Sequence, residues 1–551
     1  MKTVVKGYPS KSFGNPIKYS TMLKQSISLL VFLLVAATCF SQETNEEWFL
    51  DNYTKREAYI PMRDGVKLYT AIYTPKDTIG RHPILMERSP YSCNPYGPDK
   101  FMSVWGSYKM TYAKEKFIFV KQDVRGKYMS EGEFVEVRPF IKNKTGNQID
   151  EASDTYDTID WLINNIKNNN NKVGIIGVSY PGFYAGQGAL SGHPSLVAAS
   201  PQAPVTDWFI GDDWHHNGVF FMMDAQSFYG RHGTPRPIPA TFETTGFSFK
   251  SDDNYDAFLK AGSLKNIAQL MGDSIQFWKD MYAHPNYDDW WQARNARNSF
   301  YDIKPAMLWV GGLFDAEDCF GAWASYKAAE EQSPETNSKL VMGPWYHGQW
   351  SHEGSFLGNV RFGSNTSKYY QDSIEAPFLM HHLLDNGGKI NIAEATIFFT
   401  GENTWKKFDE WPPKSTENQS FYLQPNGKLV FNAQPNESLS LSDELFDEYT
   451  SDPEHPVPYT QHIHFKRTRE YLTDDQRFAS RRPDVAHTFQ KGHKIMVQIQ
   501  SSWFPLADRN PQKFVDIYQA NNSDFQKAEI RVYRDVENGS RIILPVLAGN
   551  E

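Results

Sequence analysis

Short apolar, β-branched runs separated by polar turns mark the first part of the chain. Residues 59–75 form two alternating runs about Asp64-Gly65, the pattern of a β-hairpin. Residues 83–86, 117–120 and 172–176 are continuous apolar runs, which predicts strands buried on both faces. Between the last two, residues 154–166 carry Tyr156, Ile159, Trp161 and Ile163 on a helical wheel. Further buried strands are predicted at residues 196–200, 306–310 and 340–342, and an amphipathic helix over 370–384. Strands alternating with helices predict a mostly parallel sheet with helices on both faces.

Two stretches break this rhythm. Residues 205–300 are rich in Trp, Phe, Met and His with little strand periodicity, as in Trp214-His215-His216, Phe220-Phe221-Met222-Met223 and Trp290-Trp291. A structureless excursion of that length is improbable in a compact protein, so the stretch reads as an inserted helical cap. After Gly387-Gly388 short alternating runs, such as 395–399 and 494–499, lie between Asn, Gly and Pro turns. They predict an all-β sandwich, a jelly roll. The expected division is a targeting segment with upstream residues over 1–41, a first sheet segment over 45–204, the cap over 205–300, a second sheet segment over 301–386 and the jelly roll over 387–551.

Composition narrows the field. A chain of 551 residues with 40% hydrophobic and 15% aromatic content is folded and too long for one core. A net charge of −9 argues against nucleic acid as a partner. Lys24 precedes an apolar run over 27–37, of signal-peptide length and short for a bilayer span. It reads as a signal peptide cut after Ser41, with Met22 as an alternative start. The expectation is a periplasmic or secreted protein that keeps no membrane segment. Cys39 leaves with the signal, so only Cys93 and Cys319 remain. Two thiols make no disulfide framework, although in an oxidising compartment they are a candidate pair. The adjacent pairs His215-His216 and His381-His382 point apart on any regular element, so neither a metal nor a cofactor is expected.

The chemistry centres on residues 177–182, Gly177-Val178-Ser179-Tyr180-Pro181-Gly182. A buried strand precedes it and a helix-forming run follows. Strand, tight turn and helix with a serine at the apex is the context of a nucleophile elbow. Downstream, Asp315 stands just beyond the strand at 306–310, and His347 just beyond the strand at 340–342. Ser, acid and His in that order, each at the carboxyl end of a core strand, is the triad order of an α/β hydrolase. His347 would take the Ser179 proton, and Asp315 would hold the imidazole in the right tautomer.

With Arg88-Ser89-Pro90-Tyr91, Gly312-Leu313-Phe314-Asp315 and Gly343-Pro344-Trp345-Tyr346-His347, the chain resembles the X-Pro dipeptidyl-peptidase and cocaine esterase superfamily. Within it the resemblance is to the α-amino acid ester hydrolases, whose relatives are often labelled glutaryl-cephalosporin acylases. It runs from about Tyr59 to the C-terminus and includes residues 405–413. It implies an α/β-hydrolase fold with an inserted helical cap and a C-terminal jelly roll. It implies an oxyanion hole made by the Tyr180 backbone N–H and the Tyr91 hydroxyl. Cys93 departs from the polar, non-thiol residue expected there. It further implies three carboxylates, Asp213, Glu317 and Asp318, that bind a substrate ammonium. Crowded carboxylates repel one another, so some hold protons until a cation arrives. Glu317 and Asp318 also suit the N-terminus of the helix that begins near Cys319, whereas Asp213 has no such reason to be there. Relatives are often tetramers, which implies a homo-oligomer.

The expected activity is hydrolysis of α-amino acid esters and amides through a Ser179 acyl-enzyme, with transfer to water or to an amine such as a peptide or β-lactam nucleus. An X-Pro-type dipeptidyl-peptidase and a general carboxylesterase or acylase are the enzymatic alternatives. A glycan-binding protein with an inert hydrolase core is the alternative outside enzymes.

Overall fold

The computed structural model describes residues 44–104, 106–431, 446–465, 467–473, 486–495, 497–534 and 539–547. The expected signal peptide lies outside them. The body is a sheet of ten strands. In chain order they are β1 (Tyr53–Pro61), β2 (Lys67–Pro75), β3 (His82–Ser89), β4 (Ile118–Asp123), β5 (Asn169–Val178), β6 (Leu196–Gln202), β7 (Ala306–Gly312), β8 (Ser338–Gly343), β9 (Ala395–Phe399) and β10 (Thr404–Phe408). Across the sheet the order is β1-β2-β4-β3-β5-β6-β7-β8-β9-β10. The run from β4 to β9 is parallel, and the outer pairings β1–β2, β2–β4 and β9–β10 are antiparallel. The first hairpin turns where the pattern put it, with Gly65 at a φ of 89° that a side chain would resist.

Helices cover the parallel strands. The helix read at 154–166 is α1 (Glu151–Asn165), started by Asp150, whose carboxylate accepts from Ser153 N at 2.9 Å while Ser153 Oγ accepts from Asp150 N at 2.8 Å. The helix after the serine is α2 (Tyr180–Ala189), with Pro181 in its first turn. Helix α3 (Cys319–Gln332) follows the Asp315 loop. The helix expected over 370–384 is α4 (Ala376–Leu383), continuous with Thr366–Tyr370 through a π-turn over Gln371–Glu375. Between β6 and β7 the chain runs through helices at Met222–His232, Asn254–Ala261, Leu264–Met271, Gln276–Ala283 and Asp289–Ala293. Trp214, Trp278 and Trp291 are buried among them.

Two readings need correction. Residues 395–399, assigned to the C-terminal sandwich, are β9 of the main sheet and pair in parallel with β8. All five of its residues are buried, which is why its apolar run suits a central strand as well as a sandwich strand. Residues 494–499 alternate like a strand, yet the described residues there form none. The small antiparallel sheets beyond β10 use Thr416–Gln424, Lys428–Phe431 and Arg541–Leu547 in one and Phe446–Ser451 with Ala528–Tyr533 in another. They form the C-terminal β region.

Candidate active site

Ser179 ends β5 and caps α2 with φ 69° and ψ −129°, a conformation that costs a non-glycine residue energy and that only close packing sustains. The packing is explicit. A Cβ on Gly177 would sit 2.1 Å from Pro181 O, and one on Gly182 would sit 2.6 Å from Gln202 O. Ser179 N donates to Gln202 O at the end of β6 (2.9 Å), and Ser179 O accepts from Phe183 N (3.1 Å). The serine is therefore held by backbone on both sides, half-buried, at the carboxyl edge of the sheet.

Beneath the elbow lies a closed polar network. Glu375, with no exposed surface, accepts from Tyr108 Oη (3.2 Å), Tyr112 Oη (2.9 Å), Tyr370 Oη (3.0 Å) and Gln202 Nε2 (2.7 Å). Gln202 Oε1 accepts from Trp350 Nε1 at 2.7 Å. The same Gln202 thus receives the Ser179 amide on its backbone and anchors Glu375 with its side chain. The network itself was not read from the sequence, because its members come from four separate stretches of chain.

Asp315 and His347 sit in the loops after β7 and β8. Leu313 N donates to Gly343 O (2.8 Å) and Phe314 N to Trp345 O (3.0 Å), which locks the two loops together. A Cβ on Gly312 would stand 2.2 Å from Trp345 O, so this close approach requires glycine. His347 Nδ1 is 2.8 Å from Asp315 Oδ2. Asp315 Oδ1 accepts from Glu317 N (2.8 Å) and Asp318 N (3.0 Å). A Cβ on Gly348 would lie 3.9 Å from Val178, which brings the His347 turn beside the elbow. Among the described residues no hydrogen bond joins Ser179 to His347, a contact that in unliganded sites often tightens only with substrate.

Tyr91 follows β3. That strand's end is fixed by Arg88, whose buried guanidinium donates to Gln122 Oε1 (2.8 Å) and Glu151 O (2.9 Å) and pairs with the Glu151 carboxylate (3.1 Å). The Tyr91 ring meets Tyr180 edge-on, with centroids 6.3 Å apart. Burial, reinforced by Asp213 and Asp318, pushes the Tyr91 phenol well above its ordinary pKa, so it stays a donor. The Tyr180 hydroxyl donates to Glu136 Oε2 (2.7 Å) and accepts from Val137 N (2.7 Å), fixing the first residue of α2. Tyr91, Phe134, Tyr180, Phe228 and His232 cluster here as an aromatic wall.

The acids expected from the resemblance converge on His347 but are not equivalent. Asp318 has no exposed surface, and neither of its carboxylate oxygens has a hydrogen-bond partner. Its Oδ2 lies 3.8 Å from His347 Nδ1. Burial, then the charges of Asp213 and Asp212, push its pKa well up. Asp213 accepts from Trp208 Nε1 at 2.8 Å and is pushed up to about 7, by burial first and then by Glu317. Glu317 goes the other way. Burial opposes its ionisation, but His347, Arg467 and Arg469 outweigh this and hold it at about 2. Burial works against the His347 imidazolium, yet the Asp315, Glu317 and Asp213 charges raise its pKa to about 9.

Sequence reasoning missed Asp212, Arg467 and Arg469. Asp212, next to Asp213, takes Thr206 N, Thr206 Oγ1 and Asp207 N on one oxygen and is pushed up to about 7, chiefly by burial. Arg467 pairs with Glu317 and, at 2.9 Å, with Asp224. No disulfide joins Cys93 and Cys319, so the candidate pair is not formed here. Cys93 is buried with its amide on Asp123 Oδ1 (2.7 Å), while Cys319 begins α3 beside the acids. Among the described residues no group of three or more His, Cys, Asp and Glu side chains is arranged to hold a metal ion.

A parallel sheet that presents a strained serine at a strand's carboxyl end defines an α/β hydrolase, and the protein is a serine hydrolase of that class. The chain belongs to the X-Pro dipeptidyl-peptidase (S15) family, whose model matches residues 64–349. It is 24% identical to the cocaine esterase of a Rhodococcus species, over 89% of this chain and 97% of that one. Among solved structures it is similar to an aminopeptidase from a marine sediment archaeon, Thaumarchaeota archaeon, with 33% identity and a TM-score of 0.80 over 90% of this chain and 96% of that chain. An α-amino acid ester hydrolase structure matches with 31% identity and a TM-score of 0.79 over the same shares. Proteins of this kind act on esters or peptides, and the resemblance to the X-Pro dipeptidyl-peptidase and cocaine esterase superfamily is borne out.

Proposed function

We propose that this protein is an exported hydrolase and acyltransferase of α-amino acid esters and amides. Ser179 attacks the carbonyl and passes its proton to His347 Nε2, which Asp315 orients through Nδ1. The oxyanion develops between the Tyr180 N–H, an orphan donor at the start of α2, and the Tyr91 hydroxyl. His347 returns the proton to the leaving group. Water or an amine then attacks the acyl-enzyme, with His347 as base again.

The observation that carries the amino-acid specificity is Asp318. A fully buried carboxylate without a donor is costly, and proteins keep such groups where a ligand completes them. A substrate ammonium one carbon from the scissile carbonyl supplies both charge and donors. Its charge also offsets the carboxylates that hold His347 in its imidazolium form, so binding would free the general base.

The test is kcat/KM for a phenylglycine ester against the matching phenylacetate ester. The amino ester is expected to win by at least roughly tenfold, the worth of one charge-assisted hydrogen bond. Equal rates would reduce the reading to a general esterase. Export is tested separately, by N-terminal sequencing of the protein recovered outside the cytoplasm.

A further inference from the structure

Residues 467–469 come from the C-terminal region yet lie against the catalytic loops. Arg467 is fully committed, with one end of its fork on Asp224 at 2.9 Å and the other on Glu317. Arg469, two residues on in Arg467-Thr468-Arg469, faces the same carboxylate from further away, with Nη2 3.5 Å from Glu317 Oε1. Its guanidinium lies over the Tyr346 ring at 4.8 Å, and 46% of its side chain is exposed. Among the described residues it has no other ion pair. Arg467 pairs with Glu317 in closer geometry, and Arg469 adds to it from further away. Arg469 is the half-exposed cation at the rim of the site.

Its position relative to the reaction follows from His347. The opposite oxygen of Glu317 lies 3.8 Å from His347 Nε2, the atom that must protonate the leaving group. Arg469 therefore stands one carboxylate away from the departing amine or alcohol. Asp318, at the other extreme, is wholly buried and faces Nδ1. The site thus runs from a buried anion to an exposed cation. A zwitterion with one residue on each side of the scissile bond matches that polarity, ammonium inward and carboxylate outward.

We infer that Arg469 binds the carboxylate of the leaving group, so that the enzyme favours free dipeptides, and amino acids as acyl acceptors, over their amides. The inference rests on the α-amino acyl reading above and adds the chemistry of the leaving side. A planar guanidinium stacked on a tyrosine is preorganised for such a carboxylate.

The experiment measures phenylalanyl-alanine and its C-terminal amide as competitive inhibitors of phenylalanine methyl ester hydrolysis, at a pH where both amines are protonated. Competition is read whether or not either peptide is cleaved, and turnover of the ester shows that a variant is folded. In the wild type the free dipeptide is expected to bind roughly three- to tenfold more tightly, the range for a partly exposed ion pair with charge-assisted hydrogen bonds. High salt should shrink the ratio. Arg469→Gln should bring it to about one, and Arg469→Lys should restore part of it. Equal inhibition in the wild type, or an unchanged ratio in Arg469→Gln, overturns the inference while leaving the amino-ester preference standing. Loss of that preference itself, seen as equal turnover of the methyl ester and its deaminated analogue, is a separate result that removes the parent reading.

Discussion

Two buried carboxylates flank the Ser179 elbow, and they differ in every respect except burial. Glu375, below it, is surrounded by three phenols and an amide, and each contact has a donor aimed at an acceptor. Asp318, beyond it, is equally inaccessible and has no donor at all. A satisfied buried acid is architecture, since its network rigidifies whatever it touches. Here it touches Gln202, the residue that receives the Ser179 amide. An unsatisfied buried acid is a cost to the fold, and a cost retained beside a strained serine points to a ligand.

The harshest test of the comparison is on the residue both regions serve. Ser179→Ala and His347→Ala should each lower turnover by roughly 10⁴-fold or more, and the double variant should be little worse than either, because a triad acts as a unit. Steady-state kinetics on an amino-acid ester measures this. Additive losses would mean that the two residues do not act in one mechanism.

Tyr91→Phe comes next. Removing one preorganised oxyanion donor typically costs 10²–10³-fold in kcat, roughly 3–4 kcal/mol. If the change falls on KM alone, Tyr91 is part of an aromatic wall and not an oxyanion donor.

The comparison is sharpened directly by exchanging each acid for a neutral group. Glu375→Ala strands several buried donors and should lower stability by about 3–5 kcal/mol in denaturant titration. Asp318→Asn should do the reverse, cutting the amino-ester preference at least roughly tenfold while stability holds or rises. The pH dependence gives the sign. The folded protein holds the Asp318 proton more tightly than the unfolded chain, so this residue costs stability as pH climbs through the range above an ordinary carboxylate. Asp318→Asn should erase that decline. If both variants lose stability alike, the two acids are both architectural.

The smallest effect concerns His347. Its pKa of about 9 means that kcat/KM for a deaminated ester, which carries no titrating amine, should rise with pH well above the usual imidazole range. Asp213→Asn removes a negative neighbour, destabilises the imidazolium and moves that limb to lower pH by about one unit. A limb that stays in place would show that Asp213 is already neutral when His347 titrates.

The elbow was legible in the sequence because its causes are local. A buried β-branched run, two glycines where backbone must approach backbone, and a following helix all lie within a short window around Ser179. Asp315 and His347 were legible for a related reason, since each follows a core strand and the triad order limits where partners can stand. The acids came through resemblance, which supplied positions but not protonation states or partners. Among them only geometry separates Asp318, without a donor, from Glu317, paired with arginines.

What the chain alone determined is therefore the set of elements whose signals are periodic or adjacent: the parallel strands, the α2 elbow and the order of Ser179, Asp315 and His347. What only the tertiary structure decided is which distant groups meet. Strand β9 joins β8 rather than a sandwich, because an apolar run specifies burial but not the neighbour it is buried against. Glu375 gathers its donors from residues 108, 112, 202 and 370, and Glu317 meets Arg467 and Arg469 from far along the chain. Such pairings are fixed by the packing of whole elements, and a single charged or phenolic residue leaves no period in the sequence from which its partner can be read.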